Sequence, residues 1–279
     1  MHPVGAAPAI PRRTRMSEAP VLVSSDDRGV VTVTLNRPEV NNAYNGAMID
    51  GILAALDGLA KMPDARVVLL RGNGRHFQAG ADLKWITSVR AQDESVNLDV
   101  SRRTAEAVDR LNHLPVPVVA MVQGGCFGGG TGIVAACDVV IAADDAVFSI
   151  AEARWGLHAG IIIPQLNDAM SVRQVRRYAL TGERFDAHEA RRVGLVHEVV
   201  GKSRLEARAR EVIDAILQNA PGALARTKSH VLEHAWGRLP EPVLAGLVAS
   251  HAAARLGPEA GEGLASFVEK RPAAWAPGS

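Results

Sequence analysis

An α/β fold is predicted by three observations. Short runs rich in Val, Ile and Leu recur through the first two thirds of the chain, stretches with helical spacing of apolar residues stand between them, and after about residue 203 only helical patterns remain. The strand runs are VVTVTL at 30–35, RVVLLRG at 66–72, VPVVAMV at 116–122, DVVIAA at 138–143 and LVHEVV at 195–200. Each is β-branched and short, as a strand with a buried face requires. Met48, Ile49, Ile52, Leu56 and Leu59 follow Asn45 at helical spacing, and Val108, Leu111 and Leu114 close a charged stretch at 99–110. Alternation of the two patterns implies right-handed crossover units. The last part reads as four helices, at 203–218, 222–235, 240–256 and 258–269, whose apolar stripes need a surface to cover, in the same chain or in a neighbour.

The chain has 279 residues, enough to bury a core without staples. Residues 1–19 are rich in Pro and Ala with three arginines and read as a disordered tail; Met16 as the start, or an organelle transit peptide, are the alternatives. Residues 20–202 then form the core with the active site and 203–279 a helical region. A net charge of +1 supplies no field for nucleic acid or a membrane surface, and no apolar run approaches the roughly 18 residues of a membrane span. Two cysteines, Cys126 and Cys137, make no disulfide framework and fit a reducing, cytoplasmic compartment.

The stretch GGCFGGGTGIVAACD at 124–138 asks what so bare a backbone approaches. It is not a phosphate loop, because Gly130 stands where the lysine must be, and not a dinucleotide fingerprint, because Ile133 stands where the third glycine must be. Two readings remain: glycines for close packing, or a helix N-terminus whose free N–H groups stabilise a developing anion. A second glycine turn, RGNGRHFQAGADLKWI at 71–86, also follows a strand and leads into a helix start at Asp82. Two such turns can offer two amides to one oxygen, which is an oxyanion hole for a thioester enolate.

Taken in series, NRP with Asn42 and Asn45, FQAGADLK, PVPVVAMVQGGCFGGGTGIVAACD, FSIAEARWGL and TGERFDAHEARRVGLVHEVV resemble the crotonase superfamily of enoyl-CoA hydratases and isomerases, from about residue 21 to 271. The resemblance implies a spiral of ββα turns with a C-terminal helical region packed across subunits, as a homotrimer or a dimer of trimers. It also implies an acyl-CoA thioester substrate, no metal and no cofactor beyond the coenzyme A of the substrate. Matched residue by residue, the oxyanion amides are those of Ala81 and Gly129. Lys84 matches a basic residue that reaches the nucleotide phosphates, and Phe267 with Lys270 a pair that reaches the adenosine of a neighbouring subunit.

Hydratases of that family usually carry two glutamates, one as base for water and one as acid for C2. Here the first position is Gly132 and the second is kept as Glu152. Ala151 and Ala153 flank Glu152, so its carboxylate is expected on an apolar wall with a raised pKa; a salt bridge to Arg154 or another arginine is the alternative. Downstream, Gly160 stays in register while Ile163 stands where hydratases of that family often have a glycine next to the catalytic water. His158 is read either as structural or as an auxiliary acid or ligand for a substrate carboxylate, and Trp155 as packing or acyl-pocket lining. Asp82 and Asp138 are expected to be hydrogen-bonded structural groups. FGGGTGIVAACD and RWGLHAGIIIPQL look closest to the isohexenylglutaconyl or methylglutaconyl branch of the family. The expected activity is hydration of a 2-enoyl-CoA, branched or carboxylated; isomerisation of a 3-enoyl-CoA by Glu152 alone, or noncatalytic acyl-CoA binding, are the alternatives.

Overall fold

The computed structural model describes residues 19–235 and 239–274; most of the N-terminal tail read from the sequence, residues 1–18, lies outside them. Among the described residues the strands run in order β1 (Val21–Ser25), β2 (Val30–Leu35), β3 (Val67–Gly72), β4 (Val118–Val122), β5 (Gly125–Phe127), β6 (Val139–Ala143), β7 (Val147–Ser149), β8 (Phe185–Asp186) and β9 (Glu198–Val200). The helices are α1 (Gly46–Leu59), α2 (Leu83–Arg90), α3 (Glu94–Asn112), α4 (Gly129–Ala135), α5 (Ile163–Met170), α6 (Val172–Thr181), α7 (Ala187–Arg192), α8 (Leu205–Leu217), α9 (Pro221–Ala235), α10 (Glu241–Leu256) and α11 (Pro258–Glu269).

Six strands form one sheet in the order β1-β2-β3-β4-β6-β9, parallel except for β1, which pairs antiparallel with β2 along the edge. The strand alternation read from the sequence divides its side chains between two cores. Val118, Ala120 and Val122 join the large core with α1 and α3, whereas Val119 and Met121 face Leu205, Ala209 and Ile213 of α8. The apolar stripe of α8 therefore covers this chain's own sheet. The run at 195–200 pairs only from Glu198; Leu195 and Val196 are buried in the turn before it.

A smaller sheet, β5-β7-β8, branches off where β4 ends. Gln123 and Gly124 turn the chain out of the first sheet, and the Gln123 side chain donates to Gly72 O at 2.8 Å, which pins the corner to the end of β3. The glycine-rich stretch is thereby delivered beside the turn that follows β3. Asp138 accepts from Val118 N at 2.7 Å and pairs with Lys228 of α9, the structural role expected of it. Cys126 and Cys137 are free and buried, and burial pushes both thiols up.

At the C-terminus α10 lies along α3. Among the described residues its Arg255, fully buried, is hydrogen-bonded to neutral groups on Asn97, Ser101 and His251. Burial and the adjacent guanidinium hold His251 neutral, its pKa pushed down to about 3. The final helix, α11, folds back over its own chain: Gly263 lies against the Trp155 backbone and the Phe267 ring meets the Trp155 ring edge-on at 5.3 Å.

Candidate active site

Asn42 ties the first two loops of the site together. Its backbone is left-handed (φ 56°), its side chain accepts from Arg37 N at 2.8 Å and donates to Asn73 O at 2.8 Å and His76 O at 2.9 Å, and it is fully buried. Asn45 caps α1 by accepting from Met48 N at 3.1 Å. Asp82 caps α2 through Lys84 N and Trp85 N and pairs with Arg37 at 3.2 Å, so the expected structural role for Asp82 is met. Between these fixed points Tyr44 N donates to Gly80 O and Asp82 N donates to Tyr44 O, both at 2.9 Å. Those two bonds hold the peptide of Ala81 in place.

Gln78 connects this turn to the second one. Its main chain donates to Gly125 O and accepts from Phe127 N, while its side-chain carbonyl accepts from Gly80 N at 2.8 Å. Gly80 (φ 84°) and Gly128 (φ 51°) then face each other: a Cβ on Gly128 would lie 3.7 Å from Gly80 Cα. Their positive φ values are open to glycine and strained for other residues. Gly129 opens α4 directly afterwards, and among the described residues neither Ala81 N–H nor Gly129 N–H has a protein acceptor. Two free donors at adjoining turns suit an anionic oxygen.

Glu152 begins a short turn after β7, on the wall opposite. Its Oε1 lies 3.1 Å from where a Gly128 Cβ would be, so carboxylate and glycine turn are in contact. Oε2 is sealed from solvent without a hydrogen-bond partner. Desolvation raises the carboxyl from its ordinary 4.5 to about 7, while its own backbone N–H acts weakly the other way. The residue as a whole is only half-buried; the sealed oxygen decides the titration, because it is the charged group that loses water. Among the described residues Glu152 has no ion pair, and Arg154 is exposed with its guanidinium beside Gly182.

A cleft of about 500 Å³ joins these groups, lined by Gly80, Ala81, Gly128, Glu152, Trp155 and Phe267 among others. Lys84, Arg154 and Arg184 stand on its rim, all three exposed, and none forms an ion pair among the described residues. The Arg184 guanidinium sits 5.4 Å over the Phe127 ring.

The remaining residues named from the sequence lie around or outside the cleft. Gly132 is buried, and a Cβ on it would lie 2.5 Å from Ile162 Cβ and closer still to its Cγ2. Ile162 fills the space beside Gly132, while Ile163 starts α5 and packs at the edge of the main core. His158 does not line the cleft. Its Nδ1 accepts from Gly160 N at 3.1 Å, so Nε2 carries the proton and donates to Ser250 O at 3.0 Å. Both nitrogens are engaged in tying the loop to α10, which removes His158 as an auxiliary acid, and Gly160 is the backbone against which its ring rests. Phe267 lines the cleft of its own chain, whereas Lys270 is an exposed left-handed cap of α11 outside the cleft lining. Trp155 both packs against α11 and lines the cleft. Sequence reasoning passed over Gln78, Tyr44, Ile162 and Arg184; only the polar Gln78 next to a glycine turn offered any signal.

Comparison with known proteins bears on this arrangement. Residues 25–277 match the family described as enoyl-CoA hydratase/isomerase. The chain belongs to that family. Its members act on acyl-CoA thioesters as lyases or isomerases, and the protein is such an enzyme with the crotonase fold. It is 34% identical over 203 residues to a hydroxycinnamoyl-CoA hydratase-lyase of Pseudomonas fluorescens, covering 72% of this chain and 74% of that one. It is 30% identical to a peroxisomal Δ(3,5)-Δ(2,4)-dienoyl-CoA isomerase of Arabidopsis thaliana, covering 76% and 80%. The crystal structure of an enoyl-CoA hydratase from Mycobacterium avium superposes with a TM-score of 0.82 at 29% identity, covering 93% of this chain and 100% of that one. Among the described residues no helix of this family member is long and apolar enough to cross a membrane.

Proposed function

We propose that the protein adds water across a 2-enoyl-CoA, through a thioester enolate held by the amides of Ala81 and Gly129, with Glu152 as the single proton carrier. The observation that carries this reading is the Glu152 carboxyl, desolvated to a pKa of about 7 and in contact with the glycine turn. A group half-ionised near neutrality both accepts and returns a proton at working pH. Ionised Glu152 takes a proton from water as the water oxygen bonds to C3. The C2=C3 electrons pass to the thioester oxygen, which the two free amides stabilise. Glu152 then returns its proton to C2, and the thioester carbonyl re-forms.

Lys84, Arg154 and Arg184 support a coenzyme A that enters past the rim with its phosphates outward, since three unpaired cations there need anions. Phe267 supports contact with the same ligand from within the chain. Branched or carboxylated acyl groups are the preferred substrates in this reading.

Isomerisation of a 3-enoyl-CoA is the second reading, favoured by Ile162 closing the position of a second carboxylate. One proton carrier suffices to move a proton between C4 and C2. The deciding experiment offers crotonyl, 3-methylglutaconyl, isohexenylglutaconyl and 3-hexenoyl thioesters and reads the products by mass and NMR. A 3-hydroxyacyl product supports hydration; a shifted double bond alone replaces it with isomerisation. Failure to exchange C2 protons of any acyl-CoA into heavy water would leave only noncatalytic binding.

A further inference from the structure

We propose that the Tyr44 hydroxyl is a third hydrogen-bond donor to the enolate oxygen, beside the amides of Ala81 and Gly129. The inference rests on the enolate chemistry just described and adds a side chain to a hole otherwise built from backbone.

Position comes first. The Tyr44 backbone is bonded on both sides to the turn that carries Ala81, through Gly80 O and Asp82 N. Its ring reaches across to the other turn, where a Cβ on Gly129 would lie 2.7 Å from Tyr44 Cε1 and 3.5 Å from its hydroxyl oxygen. One residue thus spans the interval between the two free amides.

No hydrogen bond to the hydroxyl is formed by the described residues, and the oxygen is not among the polar atoms sealed from solvent, so it is open to a ligand. Behind the ring lies a cavity of about 40 Å³ with apolar walls, shared with Ile49, Leu56 and Ile133, so that side offers no acceptor. A phenol set in an apolar wall normally finds a partner for its O–H. Ala81 N–H, Gly129 N–H and Tyr44 O–H all lack an acceptor among the described residues, and in this proposal a single substrate oxygen serves all three. Burial, reinforced by the Glu152 carboxylate, pushes the phenol up to about 12 against a smaller pull from Arg255. Tyr44 therefore stays protonated through the physiological range and donates without giving up its proton. During the reaction it shortens its hydrogen bond as charge builds on the oxygen, then relaxes as the carbonyl returns; all proton transfer remains with Glu152.

The test is Tyr44→Phe, which keeps the ring and removes the donor. Turnover is expected to fall on the order of 10²-fold, as for loss of one oxyanion donor, with KM within about threefold. Exchange of C2 protons into heavy water should fall in parallel. The apparent pKa at which bound acetoacetyl-CoA enolises, followed by the ultraviolet absorbance of the enolate, should rise by about one unit or more, a readout that a packing role would not move. Wild-type turnover and an unchanged enolisation pKa overturn the proposal; so does a loss of hydration with C2 exchange unchanged, which would place the hydroxyl on the water instead. Should Tyr44→Phe not fold, fluorinated tyrosine provides the second arm, since the chain has only two tyrosines, Tyr44 and Tyr178. A more acidic phenol should lower the enolisation pKa, and no change refutes the assignment. A wild-type protein that enolises acetoacetyl-CoA but hydrates no enoyl-CoA would sink the hydratase reading alone and leave Tyr44 to be judged by enolisation.

Discussion

Replacing Glu152 by glutamine separates the desolvation of the carboxyl from its catalytic use, because glutamine fills the same volume and does not titrate. The wild-type group is raised from 4.5 to about 7 by burial, with Oε2 sealed and unpartnered. In the unfolded chain it ionises at its ordinary value, so the unfolded state loses the proton first as pH rises. A carboxyl with a raised folded-state pKa thus contributes stability that is full below about pH 4.5 and lost progressively up to and through pH 7. The whole loss is worth roughly 3 kcal/mol, and less to the extent that water reaches Oε1. Glu152→Gln should therefore gain on wild type as pH rises: little difference near pH 4.5, roughly 3 kcal/mol near pH 9, or about 6–12 °C in Tm for a domain of this size. Thermal denaturation of both proteins across that range reads the difference. Parallel curves would refute the desolvated carboxyl, whatever happened to activity. In the same preparation turnover should fall by about 10³ or more while coenzyme A binding is retained, and unchanged turnover would remove Glu152 from the mechanism.

Gly132→Glu alone should destabilise the fold, since its Cβ overlaps Ile162; combined with Ile162→Ala it should fold and hydrate crotonyl-CoA faster than wild type, measured by loss of enoyl absorbance. Arg184→Ala or Lys84→Ala is expected to raise KM for the thioester by about three- to tenfold with little change in kcat, an effect that shrinks in high salt because both residues are exposed. Ile213→Ala, on the face of α8 that covers the sheet, should cost about 2–5 kcal/mol in denaturant unfolding and leave kcat unchanged, as befits a residue far from the cleft lining.

What could be read before folding was whatever has a local cause. The runs at 30–35, 66–72 and 138–143 became β2, β3 and β6 within a residue, because a strand covered on both faces of a parallel sheet reads as a near-continuous apolar run. Asn45 and Asp82 cap helices as their chemistry requires. Strands β5 and β8 went unread because two or three residues display no period. The edge strand β1 was missed because VLVSS is half-exposed and lacks a full apolar face. At the site, Glu152 announced itself as a charge between alanines. Ile162 could not, since nothing near Gly132 in sequence says which side chain arrives from thirty residues away. His158 looked available because a free imidazole and one held at both nitrogens are spelled alike; only the Gly160 and Ser250 contacts tell them apart.

The contact between Gly132 and Ile162 leaves no room for a side chain at 132, which fits the proposed single-carboxylate site. Helical positions three apart share a face, so Gly129 and Gly132 lie on the same side of α4. Tyr44 covers the first and Ile162 the second. Each cover needs glycine beneath it, because a Cβ at either position would enter the side chain above. The missing carboxylate is therefore not an empty place but a packed one, with an apolar group on the C-terminal side and a phenol toward the oxyanion amides. Restoring an acid at 132 without removing Ile162 would push that side chain into the helix, so reversal takes two coordinated changes. In the proposed hydration, with Ile162 filling the space beside Gly132, Glu152 is the group left to carry both proton transfers.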